Sequence, residues 1–194
     1  MKAKAAQYNR IAATLIMAAA IELVASILVA QHLYPGYSLN NNYISDLGVG
    51  GTAALFNTAL AVFGIMLAAS SLFIHLSGRT LRALGFLIAG IGGFGVGAFP
   101  ETTGLPHIIS ATVVFGSVAV MALLYIRVFK GPIRYYTAAS GLLGMGILAL
   151  FILGLAANIH LNIGLGHGGF EEILFYNELL WAFVTGTLML LRRI

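Results

Sequence analysis

The chain has 194 residues, of which 60% are hydrophobic and only 8% charged, and its ten Lys or Arg against six Asp or Glu give a formal net charge of +4. Soluble domains carry about 25% charged residues, so these numbers exclude a soluble globular domain, a disordered chain, a nucleic-acid-binding protein and a secreted disulfide-rich scaffold. The absence of Cys removes disulfides, thiolate metal sites and a Cys nucleophile. What remains is an integral membrane protein whose first partner is the lipid bilayer.

A membrane-crossing helix needs roughly 20 mostly apolar residues. Six segments meet that test, at 9–32, 52–76, 80–99, 106–129, 134–157 and 171–191, and predict an all-α bundle of six transmembrane helices in a single membrane domain, 1–194. The first span is much longer than a signal-peptide core and has no small-residue cleavage site before the polar loop, so it is read as retained. Ser77–Arg79 and Lys130–Ile133 are minimal turns, whereas Leu33–Gly51, Pro100–Leu105 and Asn158–Phe170 are longer and rich in Gly, Asn and Pro.

Every cation falls at one end of these spans: Lys2, Lys4 and Arg10; Arg79 and Arg82; Arg127, Lys130 and Arg134; Arg192 and Arg193. The positive-inside rule then predicts a multi-pass protein of the plasma membrane with both termini cytoplasmic and the longer loops outside. Tyrosines flank both boundaries, with Tyr8, Tyr125, Tyr135 and Tyr136 at the first and Tyr34, Tyr37, Tyr43 and Tyr176 at the second. In the third span Gly85, Ala89, Gly93 and Gly97 recur every four residues, a face for close helix packing rather than a phosphate-cradling loop, since no strand precedes it. The two halves show no convincing internal repeat.

Asp46, Glu101, Glu171, Glu172, His32, His107, His160 and His167 all lie at or near the outer side, so the ligand-capable groups are sorted as sharply as the cations. Glu22 and Glu178 lie within spans. A carboxylate in hydrocarbon costs on the order of 2.5–3.5 kcal/mol on the insertion scale, which demands a partner, a proton or a polar interior for each. Glu22 shares a face with Ala18, Ala19, Ala25 and Ser26, fitting either a helix-pinning carboxyl or a functional one. Glu171 and Glu178 stack seven residues apart, Asn177 adjoins Glu178, and Trp181 lies one turn below, so a polar stripe leads inward from the outer mouth.

In Tyr43-Ile-Ser45-Asp46-Leu-Gly48, Asp46 suits turn chemistry inside the loop, and the Ser-Asp pair equally suits a hydroxyl nucleophile beside a carboxylate. Phe99-Pro100-Glu101 followed by Pro106-His107 sets an acid and an imidazole on a short, proline-bounded turn. With His160 and His167, the set Asp46, Glu101 and His107 offers enough donors for zinc or another divalent ion, although no helical His pair supports it. Haem is not expected, because only His75 lies clearly inside a span.

The order Tyr34-Pro-Gly-Tyr-Ser38, Asn42-Tyr-Ile-Ser45-Asp46-Leu-Gly48, Phe56-Asn57, then Gly97-Ala-Phe99-Pro100-Glu101 with His107 following, resembles the domain-of-unknown-function family 998 of prokaryotic polytopic membrane proteins, over roughly residues 9–190. The resemblance implies that Ser45, Asp46, Asn57, Glu101 and His107 form a shared outer cluster, and it brings no activity with it.

These readings lead to a membrane-embedded hydrolase or transferase acting on a lipid or other amphiphile, with Ser45, Asp46, Glu101 and His107 catalytic or metal-ligating. Asn57, Glu22, Glu171, Asn177, Glu178 and Trp181 are candidates for substrate binding or relay. Two alternatives remain open: a proton- or ion-coupled transporter using Glu22 and Glu178, and a structural subunit of a membrane complex, with homo-oligomers compatible with each.

Overall fold

The computed structural model describes residues 2–157 and 166–191, the side chains of Leu155, Ala156, Ala157 and His167 excepted. Among these residues six helices are long and apolar enough to cross a membrane. They are α1 (Lys2–Leu33), α2 (Ala53–Leu76), α3 (Thr80–Ala98), α4 (Leu105–Tyr125), α5 (Ile133–Ala157) and α6 (Gly166–Leu190). The all-α, six-span architecture expected from hydropathy is the one found. Three boundaries differ by more than a residue: α1 begins at Lys2 rather than at residue 9, α4 stops at Tyr125, where Arg127, Lys130 and Gly131 open a turn, and α6 begins at Gly166, which puts Glu171 more than one turn inside it.

The helices form a closed ring in which each packs on its chain neighbours and α6 returns to α1, while α6 also reaches across to α4. Bilayer-spanning helices gain nothing from excluding water between them, so close backbone approach must hold the ring. The most extensive pair is α2 with α3. A Cβ at Gly64 would strike the Phe94 backbone N, one at Gly90 would stand 2.7 Å from Ala68 N, and one at Gly97 would stand 2.5 Å from Asn57 O. The expected packing face is therefore real but turned slightly: Gly90, Gly93 and Gly97 meet α2, whereas Gly85 meets Met121 of α4.

The two ends of the bundle differ. Both described termini and the turns at 77–79 and 126–132 share one end, which carries all eight described Lys and Arg. There Arg82 lies 5.7 Å from the centroid of the Tyr125 ring, and Tyr125 meets Trp181 edge-on at 5.4 Å. Arg192 and Arg193, expected at the same end, lie outside the described residues. The other end, the loop end, carries the segments between α1 and α2 and between α3 and α4.

Candidate functional site: a polar cluster above an apolar cavity

Residues Ser45–Gly48 form a single 3-10 turn, too short to be stable alone, and five side chains hold it. Asp46 Oδ2 accepts hydrogen bonds from Asn42 Nδ2 at 2.9 Å and from the Tyr43 backbone N–H at 3.2 Å. The Thr52 hydroxyl donates to Leu47 O at 2.8 Å, and Asn57 Nδ2 donates to Gly48 O at 3.0 Å. From α6, Glu171 Oε2 accepts from the Ile44 N–H at 2.6 Å, and the same carboxyl bonds the Ser45 backbone. Gly48 is required by proximity: a Cβ there would stand 2.8 Å from Asn57 Oδ1 and 3.0 Å from the Phe56 ring.

Glu172 adds a second tie from α6, accepting from Gln31 Nε2 at 2.6 Å and from the Tyr37 hydroxyl at 3.1 Å. The α1–α2 loop is thus pinned to α6 by two consecutive carboxylates that point to different parts of it, as the rotation of about 100° per helical residue requires.

The second loop brings its own pair. Glu101 opens the 3-10 turn Glu101–Thr103, and Gly104, at φ 68°, reverses the chain into α4 in a conformation that favours glycine. His107 sits in the first turn of α4, buried, with Nδ1 2.9 Å from Phe99 O. A carbonyl only accepts, so Nδ1 carries the proton, and in the neutral ring Nε2 is the free acceptor.

Glu101 joins the two loops. Its carboxyl lies beside the Ser45 hydroxyl and the Asp46 carboxyl and close enough to His107 for the two to interact electrostatically. Burial pushes its pKa above the ordinary 4.5, and the charge of Asp46 adds to that, while the Ser45 hydroxyl and His107 pull the other way. Glu101 Oε2 is buried without a hydrogen-bond partner. An acid that resists ionisation, beside a hydroxyl, is a group tuned to exchange protons.

Directly below lies an apolar cavity, with Ser45, His107 and Glu171 at its loop end. It descends between α1, α2, α3, α4 and α6 as far as Leu67, Phe86 and Met121. From His107 to Met121 on α4 is about 21 Å at ~1.5 Å per helical residue, more than half of a bilayer's roughly 30 Å hydrocarbon core. Apart from the three residues at the top, Glu178 is the only ionisable group in its lining.

The remaining candidates separate. Glu178 and Trp181 face the cavity. Asn177 does not line it: its Nδ2 donates to Ser140 O of α5 at 3.0 Å. Trp181 donates its Nε1–H to Thr137 Oγ1 at 2.5 Å, so its polar edge belongs to α5 as well. Glu22 stays out of the lining, takes a hydrogen bond from Ser26 Oγ at 3.1 Å one turn along its own helix, and leaves Oε2 without a partner. Of the polar stripe expected on α6, Glu171, Glu178 and Trp181 line the cavity and Asn177 does not.

For the metal set, no three His, Asp or Glu side chains among the described residues are grouped to hold an ion. Asp46 is already committed to Asn42 and Tyr43, and His107 Nδ1 to Phe99. His160 and the side chain of His167 lie outside the described residues.

With this geometry in place, the chain can be set beside known proteins. The family described as "Protein of unknown function (DUF998)" matches residues 17–188. The chain belongs to this family. The match takes in α1 from residue 17, α2 to α5 whole, nearly all of α6, and both loops that build the polar cluster, so the cluster lies within the matched residues. No curated protein and no solved structure is significantly similar.

Sequence reasoning missed Asn42, Thr52, Gln31 and Tyr37, which support the loop without facing the cavity. Asn42 had a readable signal, since an amide four residues before an acid in a Gly- and Asn-rich loop suits a local side-chain bond. The partners of Gln31 and Tyr37 lie more than 130 residues away and left no local trace.

Proposed function

We propose that this DUF998 chain is a membrane-embedded acyl hydrolase or transferase, acting from the outer side on an amphiphile whose apolar part fills the cavity. The observation that carries this reading is the pair Ser45 and His107 at the polar end of an apolar cavity, with the Glu101 carboxyl beside Ser45.

Ser45 is the nucleophile. Glu101, which lies beside its hydroxyl, takes the proton as Ser45 Oγ attacks an ester or amide carbonyl, and returns it to the leaving alcohol or amine. An acyl-Ser45 intermediate forms and the scissile bond breaks. Water positioned by His107 Nε2 then releases the carboxylic acid, or a second alcohol takes the acyl group. Asp46 raises the basicity of Glu101, and Glu171 and Asn57 are positioning residues that keep the Ser45 turn in place. Acid–base chemistry is preferred to the metal-assisted version because the donors are spent on hydrogen bonds within the loops.

The test is covalent labelling. An alkyl fluorophosphonate should attach to Ser45 in membranes, as read by mass spectrometry of the labelled peptide, with no label in Ser45→Ala and slow labelling in Glu101→Gln. Equal labelling of Ser45→Ala, or none in the wild type, would overturn the reading.

The transporter alternative draws its support from Glu178, which lines the cavity. It loses support from Glu22, which does not. Leu67, Phe86 and Trp181, fully or almost fully buried, stand where a path toward the termini end would have to pass.

A further inference from the structure

Glu178 is not used by this chemistry. It lies seven residues below Glu171 on α6, about 10 Å deeper at ~1.5 Å per residue. Its residue surface is 5% exposed, its Oε1 has no hydrogen-bond partner, and it lines the cavity. The carboxyl lies close against α5 at Gly144, where a Cβ would stand 3.0 Å from Oε1. A carboxyl left unpaired at this depth is costly, and a ligand group that pairs with it recovers the cost.

The deeper walls of the same cavity are aromatic, with Phe63, Phe86, Phe115 and Trp181 in its lining. Aromatic faces attract cations, most strongly where water is excluded. Among the described residues no Lys or Arg lines the cavity, so an anionic group placed at this depth would meet the field of Glu178 without a cation beside it.

We propose that the lower cavity binds a lipophilic amine, with its ammonium group on Glu178 and its apolar body among these rings. This names the substrate class of the site above as an amphiphile carrying an amine within its apolar portion. It rests on the proposed function only in that one cavity leads to both sites. A hydroxyl could also donate to Oε1, but it brings neither charge nor cation–π attraction, which makes an alcohol the proper control.

Trp181 is the only tryptophan in the chain, so its fluorescence reports on this cavity alone. The full-length protein in phosphatidylcholine nanodiscs would be titrated with phenylbutylamine, phenylbutanol and phenylbutanoate, which are nearly isosteric. Saturable quenching or a spectral shift by the amine is expected at a concentration about tenfold or more below that for the alcohol, with the carboxylate weakest. Glu178→Gln should abolish the amine's advantage and leave the alcohol unchanged. Equal affinity for amine and alcohol, or an amine preference that survives Glu178→Gln, would overturn the proposal. Should that variant fail to fold, the wild-type comparison of the three probes decides. Repeating the titration on Ser45→Ala separates the two readings: amine selectivity there without fluorophosphonate labelling of the wild type leaves the amine site and removes the hydrolase, and the reverse result does the opposite.

Discussion

The two ends of the bundle solve opposite problems with different residues. At the termini end, short turns, cations and stacked rings close the helices against one another, and the interior there is filled by Trp181, Phe86 and Ile74. At the loop end, side chains from α2 and α6 hydrogen-bond a single 3-10 turn and its flank, with α1 tied to α6 beside it, and hold the turn above a cavity. Packing by small and aromatic residues leaves no room and few choices. Holding a loop by polar ties leaves room beneath it, at the cost of many specific bonds. That contrast assigns chemistry to the loop end and rigidity to the rest.

The largest effect should come from the proton-exchanging group at the loop end. Glu101→Gln keeps the shape of the side chain and removes its ability to accept the Ser45 proton, and loss of a general base typically costs about 10²- to 10⁴-fold in rate. Fluorophosphonate labelling rates, with thermal unfolding as the check on folding, measure it. Unaltered labelling would mean that Glu101 is only a structural tie between two loops.

The next effect belongs to the helix seam. Gly64→Val drives a branched side chain into the backbone of Phe94, and overpacking of this kind costs roughly 1–3 kcal/mol, more where the neighbour is backbone. A large fall in melting temperature, with little folded protein recovered, is expected in detergent. Gly146→Ala on α5, which has open space around it, should be silent in the same assay and sets the baseline.

Asn57→Ala sharpens the comparison, because Asn57 stands on α2 yet serves the loop. Its loss leaves Gly48 O without its donor, worth about 1–3 kcal/mol if no water replaces it. Labelling of Ser45 should slow while the seam, and so most of the thermal stability, survives. A variant as reactive as wild type would remove Asn57 from the positioning set.

The pH dependence of the same end has a definite sign. Burial and Asp46 raise the Glu101 pKa above its ordinary 4.5, so the folded state binds that proton more tightly than the unfolded chain does. The stability this contributes is fully present below the unfolded value and is lost as pH rises through the folded one. Wild type should therefore lose melting temperature relative to Glu101→Gln as pH is raised from about 4 to neutrality, while labelling of Ser45 rises over the same range because the base must be unprotonated. A difference in melting temperature that does not vary with pH would contradict the assigned environment of Glu101.

Much of this was legible in the sequence for identifiable reasons. Spans follow from runs of apolar residues, and the sorting of Lys and Arg follows from the same runs, so both survive translation into three dimensions. Ser45, Asp46, Glu101 and His107 are grouped in the sequence only through the resemblance to the family, because residues on separate loops carry no local spacing that ties them together. The two intramembrane acids could not be told apart, since each shares its face with small or polar residues; only packing shows that Glu178 faces the cavity and Glu22 does not. The role of Glu171 was hidden for a related reason. Its partner is a backbone N–H at Ile44, and backbone donors have no signature in a sequence.

The smallest expected effect tests whether the outermost tie matters. Tyr37→Phe removes one hydrogen bond to Glu172 but leaves the one from Gln31, so the carboxylate keeps a partner. Because no charge is stranded, the net cost should be near 1 kcal/mol, seen as a modest drop in melting temperature with labelling of Ser45 unchanged. Gln31→Ala in the same background removes the second donor and leaves Glu172 facing the loop unpaired. The double variant should then lose more than the sum of the single losses, because each donor covers for the other. Simple additivity would show that water already serves Glu172, and that the loop end owes its order to Glu171 and Asn57 alone.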